Sequence, residues 1–373
     1  MIGLLKDICL TDLGMRLGRD RLLRPVILHV TTTNRCNMKC QMCNIWKQEP
    51  KQDLPEVALE NLNRSPLARS LRVLDITGGE PFLVNIPRLV DLAGGRRYET
   101  VLFSSNGTLV ERTLSSVEEL LDRYDFTLVV DISLDGLESE HDRIRGVPGT
   151  FARATETLRG LVELSRRFPK LKPTAKFTIM RDNYTQLLAT YEYAREMGVE
   201  FTTKPASEFG FTDNVGDKSY VFTPEETATV IEALKEIVVS QRATPLSHDS
   251  FMHRIYRQAE IIFHSELIGY MRQTFIEGRK VQASRCFSSS ISILLHYDGK
   301  VYNCPTMLQP MGDLTSQPLE KIWYGETMSR MRRFIASGRC ACYSQCDLMP
   351  ALVLGHKWDL LRGLLRRYPS RES

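Results

Sequence analysis

Three cysteines at C-x3-C-x2-C spacing, Cys36, Cys40 and Cys43, lie in the stretch Thr33-Asn34-Arg35-Cys36-Asn37-Met38-Lys39-Cys40-Gln41-Met42-Cys43. Thiolates this close can face one point within a single loop, and thiolate is the ligand that iron–sulfur clusters and soft metals take. A structural zinc site is normally closed by four protein ligands. Three thiolates on a cubane instead leave one iron with no protein ligand, open to something that reacts. Five further cysteines gather toward the other end: Cys286, Cys304, and Cys340, Cys342 and Cys346. Tyr297 to Asn303 reads as a β-hairpin around Asp298-Gly299. Cys286 and Cys304 flank it, so a short ribbon can carry two thiolates to one metal while the following segment brings others. By ligand count alone a zinc ribbon also accounts for this set. Cys9 stands apart and is expected to be structural.

The first triplet follows a strand expected over Val26 to Thr32, and apolar, β-branched runs then recur with helical stretches between them. Further strands are expected at Val73 to Thr77, Thr100 to Ser104, Thr127 to Ser133, Thr174 to Met180 and Val199 to Lys204. Amphipathic helices are expected at Val57 to Asn63, Ile86 to Leu92, Ser115 to Leu121, Thr150 to Phe168 and Asn183 to Met197. Such alternation is the pattern of βα units on a mostly parallel sheet, whose chemistry belongs at the carboxyl ends of the strands. Pro205 to Lys218 is then rich in Gly, Asp and Asn, and Pro224 to Gly278 reads mainly as helix. His248, His253 and His264 in that stretch show no ligand spacing and are read as surface or packing residues. The expected divisions are an N-terminal amphipathic segment 1–25, a barrel 26–206, a helical linker 207–280, a cysteine-rich domain 281–350 and a basic amphipathic tail 351–373.

Polar residues cluster where the strands end. Strand two closes in Thr77-Gly78-Gly79-Glu80-Pro81, where glycines permit close approach to the backbone and Glu80 offers a carboxylate to an ammonium group. Strand three closes in Ser104-Ser105-Asn106-Gly107, short side chains fit for ribose hydroxyls or for a turn. On strand four a period of two puts Asp131, Ser133 and Asp135 on one face, where buried polar groups need partners.

With 373 residues, 42% of them hydrophobic, the chain can bury one large core or two ordinary ones, and its net charge of +4 gives no support for a nucleic-acid partner. The start lacks both an unbroken apolar core and a small-residue cleavage site, so neither export nor a membrane span is expected. Clustered cysteines without a signal peptide fit metal in a reducing compartment, and a cytoplasmic location is expected. Leucines alternating with basic residues at both ends allow a membrane-surface helix as a minor hypothesis.

Taken together, the cysteine triplet after strand one, GGEP after strand two, SNG after strand three and SLDG on strand four resemble the radical S-adenosylmethionine (radical SAM) superfamily. One position departs from the family pattern: Met42 stands before the third cysteine, where an aromatic residue is common, although its thioether can still pack on a ring. The resemblance implies an α/β fold with a partial (β/α)6 TIM-like barrel. It implies a [4Fe–4S] cluster on Cys36, Cys40 and Cys43, with S-adenosylmethionine on the open iron. Gly78, Gly79 and Glu80 would receive its amino group, Ser105 and Asn106 would lie near the ribose or methionyl end, and Ser133 near ribose or carboxylate. The C-terminal segment resembles the SPASM/Twitch extension of these enzymes. A full SPASM domain has enough cysteines for two auxiliary clusters; the five here imply one [4Fe–4S] cluster. Cys286, Cys304 and Cys346 are its firmer expected ligands, and the fourth is Cys342 or Cys340.

The activity so implied is reductive cleavage of S-adenosylmethionine to a 5′-deoxyadenosyl radical that takes hydrogen from a substrate carbon. Its electron would come from a one-electron reductant such as flavodoxin or ferredoxin. No catalytic acid or base is identified. An oxidation is favoured if four cysteines close the auxiliary cluster and let it accept an electron; a small molecule, sugar or lipid-linked glycan is the expected substrate, because only 35 residues precede Cys36 and a peptide-recognition domain does not fit there. The alternatives are a maturase of a ribosomally made peptide and a non-catalytic iron–sulfur or zinc-binding protein.

Overall fold

The computed structural model describes residues 2–207, 210–214, 221–243, 251–279, 286–307 and 309–339. Its strands are β1 (Ile27–Thr31), β2 (Val73–Thr77), β3 (Thr100–Ser105), β4 (Thr127–Ser133), β5 (Leu171–Ile179), β6 (Glu200–Pro205), β7 (Ser292–Leu295), β8 (Lys300–Tyr302) and β9 (Pro310–Asp313). The helices are α1 (Ile2–Arg16), α2 (Glu56–Arg64), α3 (Ile86–Leu92), α4 (Val110–Arg123), α5 (Glu138–Arg145), α6 (Thr150–Arg167), α7 (Leu187–Met197), α8 (Pro224–Ala243), α9 (Phe251–Met271), α10 (Leu319–Trp323) and α11 (Glu326–Ala336). One sheet holds all nine strands in the order β6-β5-β4-β3-β2-β1-β7-β8-β9. The first six are mutually parallel, as the βα alternation requires.

Each strand has two unlike faces. On β2, Leu74 and Ile76 are fully buried in the main core while Val73, Asp75 and Thr77 are only half-buried, and β3 and the far half of β5 alternate in the same sense. Leu74, Ile76, Val101, Phe103, Leu128, Val130, Ala175 and Phe177 form the row that packs under the helices, and their burial is the main source of stability. The opposite, concave face is polar and partly accessible.

The cysteine-rich segment continues the main sheet: β7 pairs in parallel with β1, Ile27 against Ser292. The hairpin expected around Asp298-Gly299 is present, with β8 antiparallel to β7 and Gly299 at φ +80° in the turn. Helix α5 was not expected. Its sequence, ESEHDRIR, has no apolar stripe. Acidic residues in its first turn, basic residues in its last and the left-handed Gly146 cap support it instead.

Helices α8 and α9 pack against one another beside β6, tied to it by an Arg257–Glu200 ion pair at 2.8 Å. His264 of α9 is a packing residue, fully buried with Nδ1 3.0 Å from the Gln241 side chain; His248 and the side chain of His253 lie outside the described residues. Burial depresses the His264 pKa from 6.5 to about 3. The unfolded chain therefore takes up a proton between those values that the folded chain refuses, so this contribution to stability is complete above about pH 6.5 and is lost as the pH falls. The expected slope is about 1.4 kcal/mol per pH unit for this proton. In urea denaturation from about pH 7 to about pH 5, His264→Gln should be less stable at neutral pH and lose less stability on acidification; equal slopes would refute the assignment.

Candidate cluster and cofactor site

The triplet loop leaves the end of β1 and is clamped from two sides. On the β2 side, Gly79 N–H donates to Thr33 O at 2.7 Å and Glu80 N–H to Arg35 O at 2.8 Å. A Cβ at Gly79 would stand 2.1 Å from Arg35 O, and one at Gly78 2.8 Å from Thr32 Oγ1. These glycines are required by the close approach of the triplet loop itself. On the other side, the N–H groups of Lys39 and Gln41 donate at 3.0 Å to the carbonyls of Arg145 and Ile144, the last turn of α5. Carbonyls that a helix end leaves without an intrahelical donor are thereby satisfied by the loop. A Cβ at Gly146 would lie 2.4 Å from Lys39 O, so this helix end also touches the loop backbone.

The thiols of Cys36, Cys40 and Cys43 are half-buried and form no disulfide. Met38 N–H points at Cys36 Sγ from 3.4 Å, and Arg145 Nη1 at Cys40 Sγ from 3.6 Å. Burial pushes the Cys36 thiol up to about 12 and Cys43 to about 11, and raises Cys40 as well. All three are protonated in the metal-free chain at neutral pH, and a cation must displace those protons to bind. Arg145 is buried and ion-paired at 2.5 Å with Asp135, itself fully inaccessible. Burial opposes its charge, but Asp135 and Cys40 outweigh that and hold the guanidinium protonated. Asp135 is fixed in turn by Thr178 N–H at 2.7 Å, and its own N–H donates to His141 Nδ1 at 3.1 Å. His141 is therefore neutral, with burial and then Arg145 lowering its pKa to about 3.

Glu80, Ser105 and Asn106 come together in one network. Glu80 is fully buried and accepts from Ser105 Oγ at 2.8 Å, Phe82 N–H at 3.1 Å and Asn106 N–H at 2.9 Å. Asn106 Nδ2 reaches Asn37 Oδ1 at 2.8 Å, inside the triplet loop. In this state Glu80 locks the β2 and β3 loops to each other beside Cys36. Ser133 stands half-buried on the concave side at the end of β4, in register with Lys176 of β5.

Cys286 and Cys304 are at the other end of the sheet. Cys304 lies two residues beyond Tyr302, which pairs with Leu294, and Cys286 precedes the start of β7. The two flanking segments are joined by a Ser288 Oγ–Asn303 O hydrogen bond. From the level of Ile27 to that of Thr31 the sheet rises about 13 Å, so the two cysteine groups are separated by at least the length of β1. Cys340, Cys342 and Cys346 lie outside the described residues.

Two family models match this arrangement: the radical SAM superfamily over residues 30–172, and the iron–sulfur cluster-binding SPASM domain over residues 286–347. The chain belongs to the radical SAM superfamily and carries a SPASM domain. Among curated relatives, the AdoMet-dependent heme synthase of Methanosarcina barkeri is 27% identical over 330 residues, 83% of this chain and 85% of that protein. The antilisterial bacteriocin subtilosin biosynthesis protein AlbA of Bacillus subtilis is 30% identical over 172 residues, 43% of this chain and 37% of that one. Among solved structures, Streptococcus suis SuiB bound to its precursor peptide SuiA superposes with a TM-score of 0.63 at 15% identity, covering 90% of this chain and 76% of that one. A structure of anSMEcpe with bound AdoMet gives 0.59 at 14% identity, covering 91% and 96%. At these identities the two structures establish a common fold.

The cofactors of a radical SAM protein with a SPASM domain are S-adenosylmethionine and [4Fe–4S] clusters. The donor set fits them: half-buried thiols, with a fixed guanidinium to offset the charge of bound thiolate. Among the described residues, no three His, Cys, Asp or Glu side chains surround a single metal ion. Sequence reasoning missed Arg145, His141 and Asn183, whose Nδ2 donates to Asp135 O at 3.0 Å. The available signal was an Arg-Gly pair ten residues past Asp135-Gly136, but α5 lacks the periodicity that marks a helix.

Proposed function

We propose that this radical SAM enzyme oxidises an uncharged, hydroxyl-rich small molecule held on the concave face of the barrel, through a cluster on Cys36, Cys40 and Cys43. Bound S-adenosylmethionine and its cluster would supply a carbon radical able to take hydrogen from an unactivated C–H bond. The chain's own task is to hold the substrate and keep water away from it.

The observation that carries this reading is the charge balance of the concave face. Asp75 sits in the middle of the sheet, yet its side chain is 30% accessible, so that surface opens into the barrel interior. It pairs with His29 Nδ1 at 2.8 Å, while Lys176 pairs with Asp131 at 3.0 Å and donates to Ser104 Oγ at 3.1 Å. At the β6 side Glu200 pairs with Arg257. Glu260 is pushed up to about 8 by burial and is neutral at pH 7. A charged substrate group would upset this compensation in the interior, whereas hydroxyls can both donate to and accept from these groups. The position of Cys286 and Cys304 beyond the far end of this face supports oxidation over redox-neutral rearrangement, because oxidation needs an electron acceptor.

Anaerobically reconstituted, reduced protein should form 5′-deoxyadenosine from S-adenosylmethionine and incorporate deuterium into it from a uniformly deuterated neutral sugar or glycan. Protein that binds only zinc and forms no 5′-deoxyadenosine would sink the enzymatic reading. Peptide maturation is the second reading, favoured by the similarity to AlbA and the shared fold with peptide-bound SuiB. Deuterium transfer from a labelled peptide, or from an anionic compound alone, would replace the neutral small molecule.

A further inference from the structure

We infer that the outer face of α1 docks on an anionic lipid surface. Eight large apolar side chains are exposed among the described residues, and four of them, Leu10, Leu13, Leu17 and Leu22, fall in this one segment at 49%, 49%, 54% and 47% accessibility. The other four are scattered singly. The α1 turn continues to Leu17, whose N–H donates to Leu13 O at 3.0 Å. At about 100° per residue, Leu10, Leu13 and Leu17 occupy one side and Ile8, Thr11 and Met15 the other. Ile8 and Thr11 are buried, and Ile8 and Met15 pack with Val26, Ile27, Phe287 and Ile291. The fold is therefore served by the inner side, and the outer leucines belong to none of the core clusters.

The charges select the occupant. Each acid of the segment has a cation: Asp12 is 2.7 Å from Arg16, Asp20 3.1 Å from Arg332, and Asp7 3.8 Å from Arg72. Lys6, Arg19 and Arg21 are exposed beside the leucines. An apolar stripe bordered by cations matches a headgroup–acyl boundary carrying negative charge. A second copy of the same face would bring like charges together. The C-terminal segment would do the same, since it carries Lys357, Arg362, Arg366, Arg367 and Arg371 against Asp359 and Glu372. No helix among the described residues is long and apolar enough to cross a membrane, so the contact is peripheral.

The test is flotation of the full chain with vesicles of phosphatidylcholine and phosphatidylglycerol, against vesicles of phosphatidylcholine alone. Co-flotation is expected with the anionic vesicles, weakening as salt is added. The Leu10→Ser/Leu13→Ser/Leu17→Ser variant should bind about tenfold or more weakly with a little-changed melting temperature, since none of the three side chains belongs to a core cluster. Failure of the wild type to float, or equal binding by the variant, overturns the inference. So does a dimer that the variant dissociates, which assigns the face to a second copy. Tryptic protection of the C-terminal segment that the variant abolishes assigns it to that segment, with the same consequence.

Discussion

Cys40→Ala is expected to abolish 5′-deoxyadenosine formation, with a loss of more than about a thousandfold, and to lower reconstituted iron from about eight to about four per chain. Cys40 is the thiol nearest a fixed positive charge, 3.6 Å from Arg145 Nη1. On the proposed assignment, removing it takes away one iron's ligand and the sulfur toward which the guanidinium points. The fold should survive, because the neighbouring backbone is held independently: Lys39 and Gln41 N–H groups remain bonded to α5 whatever side chain stands between them. Iron and sulfide analysis, circular dichroism and product chromatography check the three parts separately. A variant that keeps full iron and cleaves S-adenosylmethionine at the wild-type rate would remove the triplet from the site.

Arg145→Met has the second large effect, and here stability and chemistry should separate. The substitution leaves Asp135, fully inaccessible, without its ion-pair partner, a change that typically costs about 3–5 kcal/mol. It also withdraws the charge beside Cys40. Adding Asp135→Asn removes the orphaned charge, so the double variant should recover most of the urea stability. Cluster uptake should not recover with it, because neither asparagine nor methionine brings a cation to the sulfur. If the double variant regains both, Arg145 acts only through Asp135; if Arg145→Met loses neither, the ion pair is dispensable.

The two experiments probe different depths of what the chain reveals before folding. The strands were legible because each is a short apolar run between turn residues, and their burial behind helices is a local consequence of that pattern. Val73–Thr77 and Thr127–Ser133 fall where expected, and β5 begins three residues earlier, at Leu171. The helix that carries Arg145 was illegible for the converse reason: its eight residues bury His141 and Arg145 against Asp135, outside the helix, and Ile144 against Met180 and Ala206, and no periodic stripe announces it. Gly79 was legible as a place where something approaches the backbone. That the approaching group includes Arg35 O of the triplet loop is a fact of tertiary structure.

By itself, the order of residues determined the family resemblance, the βα alternation and the position of the cysteine triplet, because spacing within a loop and periodicity within a strand are local properties. Tertiary structure decided that β7 joins β1, which puts Cys286 and Cys304 at the end of the sheet opposite the triplet loop. It also decided which buried charges of this face meet a counter-charge from another strand or helix, as Asp131 meets Lys176 and Glu200 meets Arg257. Such pairings depend on sheet register and helix docking between residues 45 and 57 positions apart, and no local pattern encodes which of many charges will be neighbours.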